Sequence, residues 1–150
     1  MKKERIKGKS GKVIGNTESF ISLVRFLISR ILPVIILIVA AFYMLPYASM
    51  HFQNNDVKAL NAEARTVMFY KSDCSACQKV YPIVFWHNVL KFQQPENQIQ
   101  TINVQNPSNE HYINDYQIQE TPTLMKIKDS NQRVVPIDKK QIIEFAERIQ

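Results

Sequence analysis

A third cysteine is missing from these 150 residues. Cys74 and Cys77 stand alone, which leaves a zinc site short of its four ligands. His51, His87 and His111 show no ligand pairing that would complete one, and His87 is expected to be solvated. Charge is missing in two places. Ile31 to Ala48 contains no Asp, Glu, Lys, Arg or His. The formal net charge of +6 is likewise absent from most of the chain. Lys2, Lys3, Arg5, Lys7, Lys9, Lys12, Arg25 and Arg30 face only Glu4 and Glu18 in residues 1–30, so the remaining eleven basic and eleven acidic residues balance. A basic excess confined to one end argues for a topology signal and against a nucleic-acid surface. Internal repeats are absent, and so is low-complexity sequence beyond the basic tail.

What is present begins with that tail, residues 1–19, whose Lys, Gly and Ser content predicts disorder. From Phe20 to Ile31, Phe20, Leu23, Val24, Leu27, Ile28 and Ile31 fall on one helical face, opposite Ser22, Arg25 and Ser29. This predicts a helix at a membrane surface or the inner end of a span, with Arg25 and Arg30 reaching to head groups. The uncharged run Ile31 to Ala48 would cover about 27 Å as a helix, close to the ~30 Å of a bilayer's hydrocarbon. Tyr43 and Tyr47 suit the aromatic belt at its far end. A cleaved signal peptide is the competing reading. The long lead before the run opposes it, as does Pro46, which a cut after Ala48 would place at the third position before the cleavage site. Residues 20–48 are therefore expected to be an uncleaved anchor. The charge asymmetry predicts a cytoplasmic N-terminus and delivery of the remainder outside, where disulfides persist.

Residues 49–63 form a polar connector, helical in its second half from Asp56. Then comes the most informative stretch, Thr66 to Pro82. Thr66 to Tyr70 is a short apolar β-favouring run. Lys71, Ser72 and Asp73 interrupt it, Cys74 and Cys77 follow, and Val80, Ile83, Val84, Val89 and Leu90 recur at helical spacing. Two thiols where a strand hands over to a helix suit a reversible disulfide. The first lies beside unpaired N–H groups that stabilise a thiolate, and the second lies one turn further in. A zinc half-site and a pair of inert cysteines are the alternatives. Further on, Ile99 to Val104 predicts a strand broken at Asn106-Pro107-Ser108, and Asn109 to Tyr116 a modest helix. Thr123 to Lys128, with Leu124, Lys126 and Lys128 on one face and Met125 and Ile127 on a different one, and Arg133 to Ile137 read as strands around an Asp129-Ser130-Asn131 turn. Asp138 caps a closing helix carrying Ile142, Ile143, Phe145, Ala146 and Ile149.

This order resembles the thioredoxin superfamily over residues 64–150. The points of resemblance are the C-x-x-C at Cys74 and Cys77, Pro82 five residues after the second cysteine, I-N-V-Q-N-P at 102–107, and Y-Q-I-Q-E-T-P-T-L at 116–124. The resemblance implies an α/β fold, a mixed central sheet flanked by helices, here preceded by a single N-terminal transmembrane helix. It implies that Cys74 is the attacking cysteine, that Cys77 is the buried resolving one, and that Pro122 is cis. Thr121 and Pro122 would hold an extended substrate segment beside the sulfurs. The only cofactor implied is the Cys74–Cys77 disulfide itself, with no metal.

Two departures stand out. D-C-S-A-C replaces the family's common W-C-G-P-C, so Asp73 is expected to raise the Cys74 pKa, with Lys71 offsetting it. Met68 occupies the position where cytoplasmic reductants carry a buried aspartate. The expected activity is a bacterial plasma-membrane thiol-disulfide oxidoreductase, single-pass, acting outside the membrane. Its partners would be cysteine-containing exported proteins and a membrane or extracellular thiol-disulfide redox partner, without nucleic acid. Such anchored proteins resemble accessory factors of bacteriocin export or conjugation in Gram-positive bacteria. The alternative is a non-catalytic thioredoxin-fold binding module, an accessory subunit of a secretion or conjugation machine.

Overall fold

The computed structural model describes residues 11–53, 56–61 and 63–148. The chain divides between Tyr43 and Met44 into two compact units. In the first, helix α1 (Gly11–Phe26) runs through a π-helical segment (Leu27–Ile31) into helix α2 (Leu32–Phe52). Leu32 N–H reaches back five residues to the Leu27 carbonyl. Helix already exists from Gly11, so the disorder expected of residues 1–19 does not hold for its second half. Residues 1–10 lie outside the described part. Glu18–Phe52 is long and apolar enough to cross a membrane, and none of its most apolar window is buried.

The second unit is a mixed α/β domain of thioredoxin-like fold. Strand β1 (Thr66–Tyr70), helix α3 (Ser75–Leu90), strand β2 (Ile99–Asn103), helix α4 (His111–Asp115), strands β3 (Thr123–Lys126) and β4 (Arg133–Val134), and helix α5 (Lys139–Glu147) follow in order. The sheet order is β2-β1-β3-β4. β1 runs parallel to β2 with Met68 opposite Thr101, and antiparallel to β3 with Met68 opposite Leu124. The expected second hairpin strand stops at Val134. Pro136 follows and has no N–H to give a ladder.

Alternation along β1 splits the core in two. Met68 and Tyr70 pack with Cys77, Val80, Tyr81 and Val84 of α3 and with Ile142 and Ala146 of α5. Val67 and Phe69 pack on the other face with Ile102, Tyr112, Ile118 and Met125. Asp138 caps α5 as expected, its carboxylate accepting the Gln141 N–H at 2.8 Å. Ile149, expected on that helix, lies outside the described residues.

Three expectations fail on tertiary grounds. Residues 56–61 are not helical. Their backbone is taken up by distant side chains: Val57 N–H donates to Asn109 Oδ1, Tyr112 Oη donates to the Val57 carbonyl, and Asn61 N–H donates to Gln100 Oε1. Lys126, expected on a differentiated strand face, is 1 % exposed. Its Nζ donates to the Ala146 and Arg148 carbonyls at 3.2 and 3.0 Å, beside the Phe145 ring. A cation there meets the orphan carbonyls and negative pole of α5's C-terminal end. His87, expected in solvent, is buried with Nε2 2.9 Å from the Asn97 carbonyl oxygen.

The last turns of α2 belong to this second unit. Met50 is 2 % exposed within the core that holds Cys77. Gln53 Oε1 accepts hydrogen bonds from Tyr70 Oη (3.0 Å), Tyr81 Oη (2.8 Å) and Thr101 Oγ1 (3.1 Å).

Candidate functional site

Cys74 is the N-cap of α3, with extended backbone angles. Its sulfur stands where a capping Ser or Asp would place oxygen, and accepts the Cys77 N–H at 3.2 Å. Backbone holds the cap in place. Cys74 N–H donates to the Lys71 carbonyl at 3.3 Å. Gln105 Oε1 accepts both Ser72 N–H and Ser72 Oγ. Gln78 Nε2 donates to the Ser72 carbonyl. Pro82 sits inside α3, one turn beyond these contacts.

Across the sheet, the Thr121–Pro122 peptide is cis, as the resemblance implied. Cys74 Sγ, as a thiol, donates to the Thr121 carbonyl at 3.3 Å. Both cysteines are free thiols. Cys74 is partly exposed and Cys77 is fully buried.

Environment drives the two thiols apart. Burial raises the Cys74 pKa somewhat. It is outweighed by hydrogen bonds from the Cys77 thiol, the Cys77 N–H, the Thr121 side chain and the Ala76 N–H, and the net shift is downward. Cys77 is pushed up to about 11, first by burial and then by its hydrogen bond to Cys74. The elevation of Cys74 expected from Asp73 is therefore not found. Asp73 is exposed and is not among the groups that move either thiol. Lys71 also acts otherwise than expected. It favours ionisation of Cys77 through a backbone hydrogen bond, while its ammonium has no part in shifting Cys74. Solvent screens charges on exposed side chains, whereas N–H groups fixed against the sulfur are not screened.

Beside Thr121, Lys71, Val104, Ile113, Ile118 and Glu120 line a cleft of about 350 Å³. Met68, fully buried, packs in the same cluster as Cys77. No Asp or Glu is buried among the described residues. None of them form a group of three or more His, Cys, Asp or Glu able to hold a metal ion.

Cys74, Cys77, Thr121 and Pro122 are thus brought together, 47 residues of chain closing between Cys74 and Thr121. Sequence reasoning missed Ala76 as an N–H donor, the Ser72–Gln105 tie and the Gln53 hub. A helix N-terminus after Cys74 gave notice of the first. The other two are single amides reaching 33 and 48 residues along the chain, with no local signal.

The sequence of the TraF family, F plasmid transfer operon protein, matches residues 48–139. That is more than half the chain, and it includes both cysteines, Thr121 and Pro122. The chain belongs to the TraF family. No curated protein matches it. The TraF match begins at the last turns of α2, the part of that helix that lies in the second unit.

Proposed function

We propose that this TraF-family chain is a membrane-anchored thiol-disulfide oxidoreductase acting on exported proteins, with Cys74 as attacking and Cys77 as resolving cysteine. The observation that carries the reading is the Cys74 sulfur, capped by the Cys77 N–H and facing the Thr121 carbonyl. In the reducing direction the Cys74 thiolate attacks one sulfur of a client disulfide. The new S–S bond forms as the second client sulfur leaves as a thiolate and takes a proton. Cys77 then gives its proton to solvent and attacks Cys74 Sγ, releasing the first client sulfur. The client gains two electrons and the pair becomes a disulfide, which a separate thiol-disulfide partner must reset. The reverse sequence oxidises a client. Thr121 and Pro122 border the client segment, and the Thr121 backbone offers it strand-like hydrogen bonds.

The apolar helix serves as anchor in this reading, with the N-terminus cytoplasmic and the thiol domain outside, on the strength of the eight basic residues before the run. Membrane-impermeant maleimide should label Cys74 in intact cells. Protection until lysis would overturn that topology. The activity is tested by replacing Cys77 with Ala, which should accumulate mixed disulfides between Cys74 and client proteins. Their absence under non-reducing electrophoresis would refute it. The reduction potential of the pair separates the directions: near −270 mV favours a reductant, near −120 mV an oxidant.

A second reading, an accessory subunit of a plasmid-transfer machine with idle cysteines, is favoured by the TraF match and by Met68 beside Cys77. Partners recovered equally with and without both cysteines would support it.

A further inference from the structure

Ser72 stands two residues before Cys74, within about 7 Å along the backbone. It borders a groove of about 390 Å³ whose other walls include His51 and Phe52 of α2, Asn103 at the end of β2, and Gln105 and Pro107 beyond it. We propose that this groove is a specificity subsite for the polypeptide client of Cys74, taking the client segment on the side of its cysteine away from Thr121. The proposal rests on the redox reading above and adds to it a part of the chain, the end of α2, that lies outside the thioredoxin-like strand and helix order.

Three observations carry it. The groove borders the loop that carries the sulfur: in the sheet order β2-β1-β3, Thr121 precedes β3 on one side of the loop after β1, and Gln105, which pins Ser72, follows β2 on the other. A chain held by its cysteine over Cys74 must run toward Thr121 one way and toward this groove the other. Next, no Lys, Arg, Asp or Glu lines the groove, and its polar walls are mostly carboxamides and a hydroxyl. The carboxamide oxygens of Gln53, Asn103, Gln105 and Asn106 already accept hydrogen bonds within the chain, which leaves the side-chain N–H groups of Asn103 and Gln105 to donate to the carbonyls of an extended segment. That lining also leaves a lipid phosphate no Lys or Arg to pair with. Finally, Phe52 is 79 % exposed at the rim, an apolar ring beside a polar floor. That combination fits an uncharged client segment bearing an apolar side chain, with backbone hydrogen bonds giving affinity and the ring giving selectivity.

The test uses the full chain carrying Cys77→Ala, reconstituted in lipid nanodiscs, so that only the first attack is read. Mass spectrometry follows mixed-disulfide formation with two probes. One is glutathione disulfide. The other is a set of uncharged ten-residue peptides in disulfide form, each with one cysteine and a Leu at the second to fifth position on either side. Phe52→Ser should lower the peptide-to-glutathione rate ratio about tenfold in at least one register, as loss of one buried apolar contact would. Phe52→Trp should retain it. An unchanged ratio in every register overturns the proposal and assigns Phe52 to lipid head groups. Failure of both probes to react with Cys74 overturns the redox reading, and the subsite with it; reaction of glutathione disulfide alone overturns the subsite only.

Discussion

The strongest quantitative test of the site is the pH profile of Cys74 alkylation with and without the Cys77 side chain. The Cys74 thiolate is held by two backbone N–H groups, by the Thr121 side chain and by the Cys77 thiol. Cys77→Ala removes only the last of these and leaves the Cys77 N–H at 3.2 Å in place. A hydrogen bond to a charged acceptor is worth about 1.5–3 kcal/mol, and a thiol is a weak donor, so the loss is about 1 kcal/mol. That lowers the thiolate population about fivefold below the pKa. The surviving thiolate is more basic and so intrinsically more nucleophilic, which returns part of the loss through a Brønsted slope of about 0.4–0.5. On the acid side of both titrations, iodoacetamide should therefore react about two- to threefold more slowly with Cys77→Ala than with the reduced parent. Above both titrations the order should reverse by about twofold, and the two profiles should cross. Coincident profiles would mean that the Cys77 thiol does not hold the Cys74 sulfur. Parallel profiles without a crossing would refute the assignment of the effect to thiolate stabilisation.

Other outcomes follow from the same geometry. In the reduced chain, Cys77 stays protonated to about 11 when folded but ionises at the ordinary thiol value when unfolded. Between those pH values the unfolded chain binds fewer protons, so this contribution is complete below the ordinary value and is lost as pH rises through 11. The unfolding free energy from urea titrations should fall over that interval by an amount on the order of 2 kcal/mol, and Cys77→Ala should flatten the fall. Lys126→Ala should cost about 2–4 kcal/mol by leaving the Ala146 and Arg148 carbonyls without their cation, and Lys126→Met should cost less; urea unfolding measures both. Gln53→Ala should cost about 2 kcal/mol, because three hydroxyls lose one shared acceptor, as measured by thermal or urea unfolding of the domain's tryptophan signal.

The parts of the fold that were legible were those written locally. The β1 run, the helix after Cys74, the Asp138 cap and the turn between β3 and β4 each rest on a few neighbouring residues whose propensities agree. The Thr121–Pro122 approach was legible only through resemblance, since no local pattern says that residue 121 will reach residue 74. What failed was decided by distant partners. Residues 56–61 have helical composition, yet Asn109, Tyr112 and Gln100 claim their backbone. Lys126 looks like a surface residue, yet it meets carbonyls twenty residues later. Asp73 looked decisive because it adjoins Cys74 in sequence. Adjacency puts a charge near a thiol without aiming it there, and the groups that move the Cys74 titration include the fixed N–H groups of α3 and not Asp73.

The two thiols also set a kinetic order for the proposed cycle. Cys74 is partly exposed and its pKa is shifted downward while that of Cys77 is shifted up, so of the two it supplies the thiolate for the first attack. Cys77 is buried, and its proton leaves only near 11. The side chain beside it at position 68 is a methionine, and none of the buried groups among the described residues is a carboxylate that could take that proton. The resolving attack must therefore draw on the small fraction of Cys77 thiolate present at the ambient pH. Its rate should climb about tenfold for each pH unit while Cys77 stays mostly protonated, since no buried carboxylate among the described residues offers a base that would flatten this dependence. A preformed mixed disulfide between Cys74 and a peptide, in the parent chain with Cys77 intact, gives the measurement directly: release of the peptide thiol after a pH jump. A release rate that is flat between pH 7 and 9 would reveal a base near Cys77. A climbing rate means that client and enzyme stay covalently joined for long periods at neutral pH, which suits a chain that holds a client more than one that turns it over rapidly.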